Sequence, residues 1–135
     1  MVLSMACFAS AEENTTLTIV AWEVGTTPYY QAQKEAFEAT HPGVTIEYVD
    51  VASQDWDTKA GTMLSGGDTS DLFMVKQNIN IMNWAQQGFA EPLTDYIAKD
   101  NYDLSGFVGM EPNYALDCTQ YALPFRSDFW VLFYN

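Results

Sequence analysis

Three short segments with strand character are separated by stretches of helical periodicity, and this order constrains the fold more than any other feature of the sequence. Residues 17–22 and 71–75 are apolar runs, and residues 44–48 alternate between apolar and polar side chains. A strand, helix, strand order predicts a parallel sheet, because parallel neighbours need a long crossover connection that is usually a helix. We therefore predict an α/β fold built on a parallel sheet.

Residues that begin and end helices mark the segments between these strands. Thr27 and Pro28 are typical of an N-cap and a first helical residue, and the helix that they open ends at the His-Pro-Gly segment of residues 41–43. Tyr29 and Phe37 are expected on its buried face. The other predicted segments are helices over residues 53–64, 79–87 and 92–99, a loop with weak helical character over residues 102–116 and an extended stretch over residues 121–125.

The acidic charge balance excludes two classes of partner. The chain of 135 residues has 18 Asp and Glu against 5 Lys and Arg, a formal net charge of −13. A nucleic-acid binder needs clustered basic side chains to neutralise phosphates, and so does a protein held on anionic lipid. We therefore expect neither. The sequence also has no run of 18 apolar residues that would predict a membrane span.

Polar and aromatic side chains follow the predicted strands at the edge where α/β sheets bind their ligands. Carboxylates and amides exchange hydrogen bonds with hydroxyl groups, and flat aromatic rings cover the apolar faces of sugars. This set therefore suits a neutral polyhydroxylated ligand. The residues are Trp22 and Glu23 after the first strand, Asp50 after the second, Lys76, Gln77 and Asn78 after the third, and Arg126, Ser127 and Asp128 after the extended stretch.

Aromatic and charged residues in such positions also have structural roles. Trp56 and Trp84 lie on apolar helix faces, and we predict both to be buried. Trp22 stands where a strand meets a loop, and the sequence leaves it open as a core residue or a ligand platform. Asp128 either faces the ligand or pairs with Arg126.

Catalytic and metal-binding signatures are absent from the sequence. It contains no G-x-S-x-G, phosphate-binding or G-x-G-x-x-G motif. His41, the single histidine, lies next to a proline and is predicted to be a turn residue. One histidine and the widely separated Cys7 and Cys118 cannot complete a zinc site. We therefore expect no catalytic residue, metal or cofactor.

Residues 1–11 are apolar or small and carry no charge. They end in an Ala-Ser-Ala sequence that is followed by two glutamates, as secretory signals do at their cleavage site. We expect this segment to be the remnant of such a signal, with cleavage after Ala11, and the protein to be extracytoplasmic, in the periplasm. Two alternatives stay open. In the first, Cys7 is acylated and anchors a lipoprotein at the cell surface. In the second, the segment is a buried strand or helix.

Four motifs follow one another along the chain. They are the strand of residues 17–22 after a signal, F-x-x-x-x-P-G-[VI] at 37–44, G-x-x-P-D-[VIL] at 67–72 with Ser70 as its one departure, and Y-[AG]-[LI]-P with L-x-Y-N at 121–124 and 132–135. Together they resemble the extracellular solute-binding proteins of the carbohydrate class, the maltose-binding-protein-like group that serves ABC importers. The chain departs from that pattern at Ser70, where proline is usual, and at residues 118–120, where a Gly-Lys pair is common.

The resemblance implies a two-lobed periplasmic-binding-protein-like fold that this chain contains only in part. Residues 12–125 would form part of the N-terminal lobe, and residues 126–135 a hinge strand that crosses toward a second lobe. Asp71 would hold the loop before the third strand. The implied ligand contacts are Trp22, Glu23, Lys76, Gln77, Asn78, Arg126 and Asp128.

The implied function is capture of a sugar or oligosaccharide for the membrane permease of an ABC importer, by a protein that is monomeric when complete. Two other functions stay open. A secreted carbohydrate-cleaving enzyme would use paired carboxylates such as Glu23 and Asp128. A binding protein for a non-sugar solute such as a polyamine would also use the acidic groups at the strand ends.

Overall fold

The computed structural model describes residues 14–107 and 114–125. Arg126, Asp128 and the apolar run that follows them lie outside the described residues. The chain forms two compact units, Met1–Met74 and Val75–Asn135. The elements of the first unit are β1 (Thr15–Trp22), a 3₁₀ turn (Val24–Thr26), α1 (Pro28–Thr40), β2 (Val44–Val51), a second 3₁₀ turn (Ser53–Asp55), α2 (Trp56–Ser65) and β3 (Leu72–Phe73).

The three strands of the first unit form a parallel sheet in the order β2-β1-β3. β1 and β2 pair along their whole length, from Thr15 opposite Val44 to Trp22 opposite Val51. The predicted parallel α/β architecture is therefore confirmed. β1 begins two residues before the predicted strand of residues 17–22, and β2 continues three residues past the predicted strand of residues 44–48.

β3 is shorter than the predicted strand of residues 71–75, and at its start Asp71 contacts β1 through its side chain. The Asp71 backbone N–H donates to Thr18 O at 3.0 Å, and Asp71 Oδ2 accepts the Thr18 N–H at 2.8 Å. A carboxylate thus takes the place of the backbone carbonyl that would continue the ladder. Beyond Phe73 one further bond, from Met74 N–H to Val20 O at 3.0 Å, joins the segment to β1. The predicted structural role of Asp71 is confirmed.

α1 and α2 cover opposite faces of the sheet. On one face, the Tyr48 hydroxyl donates to Tyr30 O at 3.4 Å, and the rings of these two residues lie 5.2 Å apart. At the sheet edge beside them, Glu38 Oε1 of α1 accepts the backbone N–H of Ile46 at 2.7 Å. On the other face, Trp56 of α2 packs against Trp22 of β1. The core residues of this unit are Val20, Ala21, Tyr30, Ile46, Val51, Trp56 and Ala60.

The side of α1 toward the sheet includes Tyr30, a residue that the prediction did not name. Tyr30 is buried and its ring contacts Tyr48, whereas Tyr29 is only half-buried. Phe37 is 37% exposed, but it lines a cavity together with Ile19, Ile46 and Tyr48 of the sheet. Burial also raises the pKa of the Tyr48 hydroxyl, with a smaller contribution from Tyr29.

The described part of the second unit contains two helices and a short hairpin. The elements are α3 (Asn78–Gln86), α4 (Thr94–Asp100), a 3₁₀ turn (Ser105–Phe107), β4 (Ala115–Leu116) and β5 (Thr119–Gln120). Trp84 and Ile81 of α3 are buried, as predicted for Trp84. The start of α4 is bound to the hairpin, since the Leu93 N–H donates to Gln120 O at 2.7 Å and Thr94 Oγ1 accepts the Gln120 N–H at 2.9 Å.

The antiparallel pair of β4 and β5 is not among the sequence predictions. Its turn residues, Asp117 and Cys118, both have positive φ angles, of 50° and 66°. Two-residue hairpin turns of this kind are usually signalled by Asn-Gly or Asp-Gly. An Asp-Cys pair carries no such signal, which is why the hairpin was missed. Residues 121–125, predicted as extended, form no strand.

Two glycines around α2 provide opposite stability predictions. A Cβ added at Gly61, inside the helix, meets no atom within 4 Å, so Gly61→Ala should raise the free energy of unfolding by about 0.5–1 kcal/mol through lower backbone entropy in the unfolded chain. Gly67, just after the helix, has φ +79°, and Gly67→Ala should lower the same quantity by about 1 kcal/mol. Urea unfolding of both variants measures the difference. A destabilising Gly61→Ala would contradict the prediction.

Candidate functional site

Glu23 lies at the carboxyl end of β1 in a strained backbone conformation. Its φ and ψ angles are 58° and 31°, the left-handed region that residues with a side chain enter at a cost of about 1–2 kcal/mol. Its carbonyl oxygen accepts two hydrogen bonds from Thr26, from the backbone N–H and from Oγ1, both at 3.2 Å. The chain therefore turns sharply after Trp22, and the exposed Glu23 stands at the edge of the sheet.

Trp22 is half-buried at the same edge, directly in front of Trp56. The two ring centres are 4.9 Å apart, and the planes meet at 62°, an edge-on contact. Trp56 is fully buried, and its Nε1–H has no acceptor among the residues that the structure describes. A buried donor without an acceptor costs about 1–3 kcal/mol. The prediction that Trp56 is a core residue is confirmed, but no sequence pattern pointed to an indole N–H without an acceptor among the described residues.

Asp50, near the end of β2, contacts the turn that follows β1. Its Oδ2 atom accepts the backbone N–H of Gly25 at 3.4 Å, a long hydrogen bond. Asp50 and Glu23 are both exposed, and Trp22 is partly exposed at the same edge of the sheet, on the opposite face from Asp50, which pairs with Ala21. Such a surface can accept hydrogen bonds from hydroxyl groups and pack against an apolar face of a ligand.

The candidates after the third strand lie in the second unit. Lys76 and Gln77 precede α3, and Asn78 is its first residue, one position before the predicted start of that helix. All three are exposed. The Gln77 carbonyl accepts the Asn80 N–H at 3.0 Å, which closes the first turn of the helix. The remaining two candidates, Arg126 and Asp128, lie outside the described residues.

Other reactive side chains of the described segments have local structural contacts. The His41 ring stacks on Phe37 at 4.0 Å, and its Nδ1 atom lies 3.0 Å from Phe37 O, so the predicted turn role of His41 is confirmed. Cys118 is a free, exposed thiol. Within residues 14–107 and 114–125 no three His, Cys, Asp or Glu side chains are grouped closely enough to hold a metal ion. Over the same ranges no helix has the length and apolar character needed to cross a membrane.

Comparisons with known proteins identify what the chain resembles. The sequence model of the bacterial extracellular solute-binding protein family matches residues 22–135. A binding protein of Brucella abortus strain 2308 is 32% identical over 140 residues, which cover 99% of this chain and 32% of the relative. The chain thus spans about a third of the length of the curated relatives that it matches.

Solved structures give the same result. A sugar transporter from Rhizobium etli, in an open conformation, superposes with a TM-score of 0.74 at 30% identity, over 83% of this chain and 29% of the other. An ABC substrate-binding protein from Listeria monocytogenes, solved with cycloalternan, superposes with a TM-score of 0.70 at 25% identity, over 79% of this chain and 28% of the other. Both matches cover most of this chain and less than a third of the other protein.

Proposed function

Since this chain belongs to the bacterial extracellular solute-binding protein family, we propose that it contributes to the capture of a sugar or oligosaccharide for an ABC importer. The ligand is bound outside the cytoplasm and passed to the importer's membrane permease. The similarity to a sugar transporter and to a protein solved with cycloalternan supports a carbohydrate ligand. The chain acts by binding and not by catalysis, as members of a solute-binding family do.

The observation that carries the proposal is the arrangement of Trp22, Glu23 and Asp50 at the carboxyl end of the sheet. The half-exposed Trp22 ring packs against the C–H face of a sugar, because that face is apolar while its edge carries hydroxyls. The exposed carboxylates of Glu23 and Asp50 accept hydrogen bonds from those hydroxyls, and charged acceptors strengthen such bonds. Parallel sheets bind ligands at this edge.

The remaining proposed contacts come from the loop before α3 and from residues beyond the described part. Lys76, Gln77 and Asn78 donate hydrogen bonds to ligand oxygens through their ammonium and amide groups. Arg126 and Asp128 add a donor and an acceptor. In the proposed domain organisation, residues 1–11 are a remnant of a signal, residues 12–125 belong to the N-terminal lobe, and residues 126–135 are the hinge strand that leads to a second lobe.

Replacing Trp22 with alanine should weaken sugar binding about tenfold, which corresponds to about 1.4 kcal/mol. The reason is the loss of the aromatic face, with the carboxylates left in place. The measurement is calorimetry of the full-length protein with a sugar panel of D-glucose, D-mannitol, maltotriose and cycloalternan, with spermidine as the non-sugar ligand. Tyr96→Ala is the matched control, because Tyr96 is a 54% exposed aromatic residue outside the proposed site.

Three results would contradict this function. Binding of spermidine in preference to every sugar of the panel would make the protein a polyamine receptor. New reducing ends after incubation with maltotriose would make it an enzyme. Equal sugar affinity of Trp22→Ala and Tyr96→Ala would remove Trp22 from the site.

A further inference from the structure

The indole N–H of Trp56 is a buried hydrogen-bond donor that the described part of the fold leaves without an acceptor. Trp56 is 0% exposed. Buried polar groups are almost always paired in folded proteins, and an exception calls for an explanation at that site. Trp56 is the first residue of α2, so it stands at the carboxyl edge of the sheet beside the proposed ligand contacts.

Trp22 is the partly exposed residue at this edge that packs against Trp56. The contact is edge-on, with ring centres 4.9 Å apart. The Trp22 backbone is held opposite Val51 in the β1–β2 ladder, and β1 ends at Trp22. The Trp22 side chain can therefore change its rotamer without movement of the strand.

We infer that Trp56 is a further ligand contact, whose indole N–H donates a hydrogen bond to a hydroxyl oxygen of the bound sugar when the Trp22 ring turns onto the sugar's face. This inference rests on the proposed function. The chemistry is complementary, because Glu23 and Asp50 are acceptors and the indole N–H is only a donor. A sugar hydroxyl that donates to a carboxylate still needs a donor for its own oxygen, and Trp56 supplies it.

The test compares Trp56→Phe with Trp84→Phe in the full-length protein. Both tryptophans are buried, so both variants remove an N–H and shrink a ring inside the protein, but Trp84 belongs to the second unit and is not a proposed ligand contact. For the sugar of the panel that the wild type binds most tightly, Trp56→Phe should raise Kd about tenfold, and Trp84→Phe should leave Kd unchanged. One deoxy analogue of that sugar should bind the wild type and Trp56→Phe equally, because it lacks the accepting hydroxyl.

A spectroscopic measurement separates hydrogen bonding from packing. In the ¹H–¹⁵N spectrum of the wild type, the Trp56 indole resonance should move downfield on saturation with the sugar, as an N–H does when it gains an acceptor. If Trp56→Phe fails to fold, the shift of the wild-type Trp56 indole resonance on sugar binding is the measurement that tests the inference. An unmoved resonance, or an unchanged Kd in folded Trp56→Phe, overturns the inference and leaves the proposed function intact. A wild type that binds no sugar of the panel overturns both.

Discussion

Trp56→Ala should lower the free energy of unfolding by about 3–5 kcal/mol, the usual cost of removing a large buried aromatic side chain. Trp56 has no exposed surface, and its ring supports Trp22 from behind. Its removal would leave a cavity between α2 and the sheet beside Val20, which is also fully buried. The measurement is urea unfolding, with the slope of the transition compared between variant and wild type.

The matched control for this prediction is Tyr96→Ala, another aromatic truncation. Tyr96 is 54% exposed on α4, and exposed substitutions usually change stability by about 0.5 kcal/mol or less. Trp56→Phe is the intermediate case, because it keeps a ring in the core and removes the unpaired N–H. A loss for Trp56→Ala as small as that of Tyr96→Ala would show that α2 does not pack on the sheet as described.

Asp71→Ala should lower the free energy of unfolding by about 1.5–3 kcal/mol, the range for a hydrogen bond to a charged group. The value should fall in the lower half of that range, because Asp71 is exposed and water can replace part of the contact. The variant removes the acceptor of the Thr18 N–H, which lies 2.8 Å from Oδ2, and keeps the backbone bond from residue 71 to Thr18 O. Urea unfolding measures the loss.

Asp71→Asn separates the geometry of this contact from its charge. The amide oxygen of asparagine can accept the same N–H without a negative charge, so the variant should lose less stability than Asp71→Ala. Hydrogen exchange at the Thr18 amide gives a local readout, since exchange should accelerate in Asp71→Ala. Wild-type protection of that amide in Asp71→Ala would refute the assigned role.

Periodicity and capping residues were enough to predict most of the first unit. A β-branched apolar run predicted β1, and an alternation of apolar and polar residues predicted β2. The Thr27-Pro28 pair predicted the start of α1 where it is observed, at Pro28. The short β3 could not be predicted, because a side chain of Asp71 replaces a backbone partner only after the fold brings Thr18 beside it. Local propensity cannot represent a contact between residues that far apart in the chain.

The location of the candidate site could be predicted from the sequence, but the backbone conformation and packing of its residues could not. The rule that parallel sheets bind ligands at their carboxyl edge led to Trp22 and Glu23. The left-handed conformation of Glu23 carries no sequence signal, because glycine or asparagine is the usual residue there and glutamate is not. The unpaired N–H of Trp56 depends on how α2 packs on the sheet, and that is a property of the folded chain alone.

Glu38 occupies an outward N–H group of β2, a strand at one end of the three-stranded sheet in the described part of the chain. The outward N–H groups of such a strand are a template for a strand from another molecule. Glu38 Oε1 accepts the Ile46 N–H at 2.7 Å, and Lys34 Nζ lies 3.8 Å from the same oxygen. A strand from another copy that paired along β2 would have to displace Glu38 at Ile46, and each copy carries a formal net charge of −13. The helix that covers one face of the sheet therefore also opposes strand addition at the middle of β2.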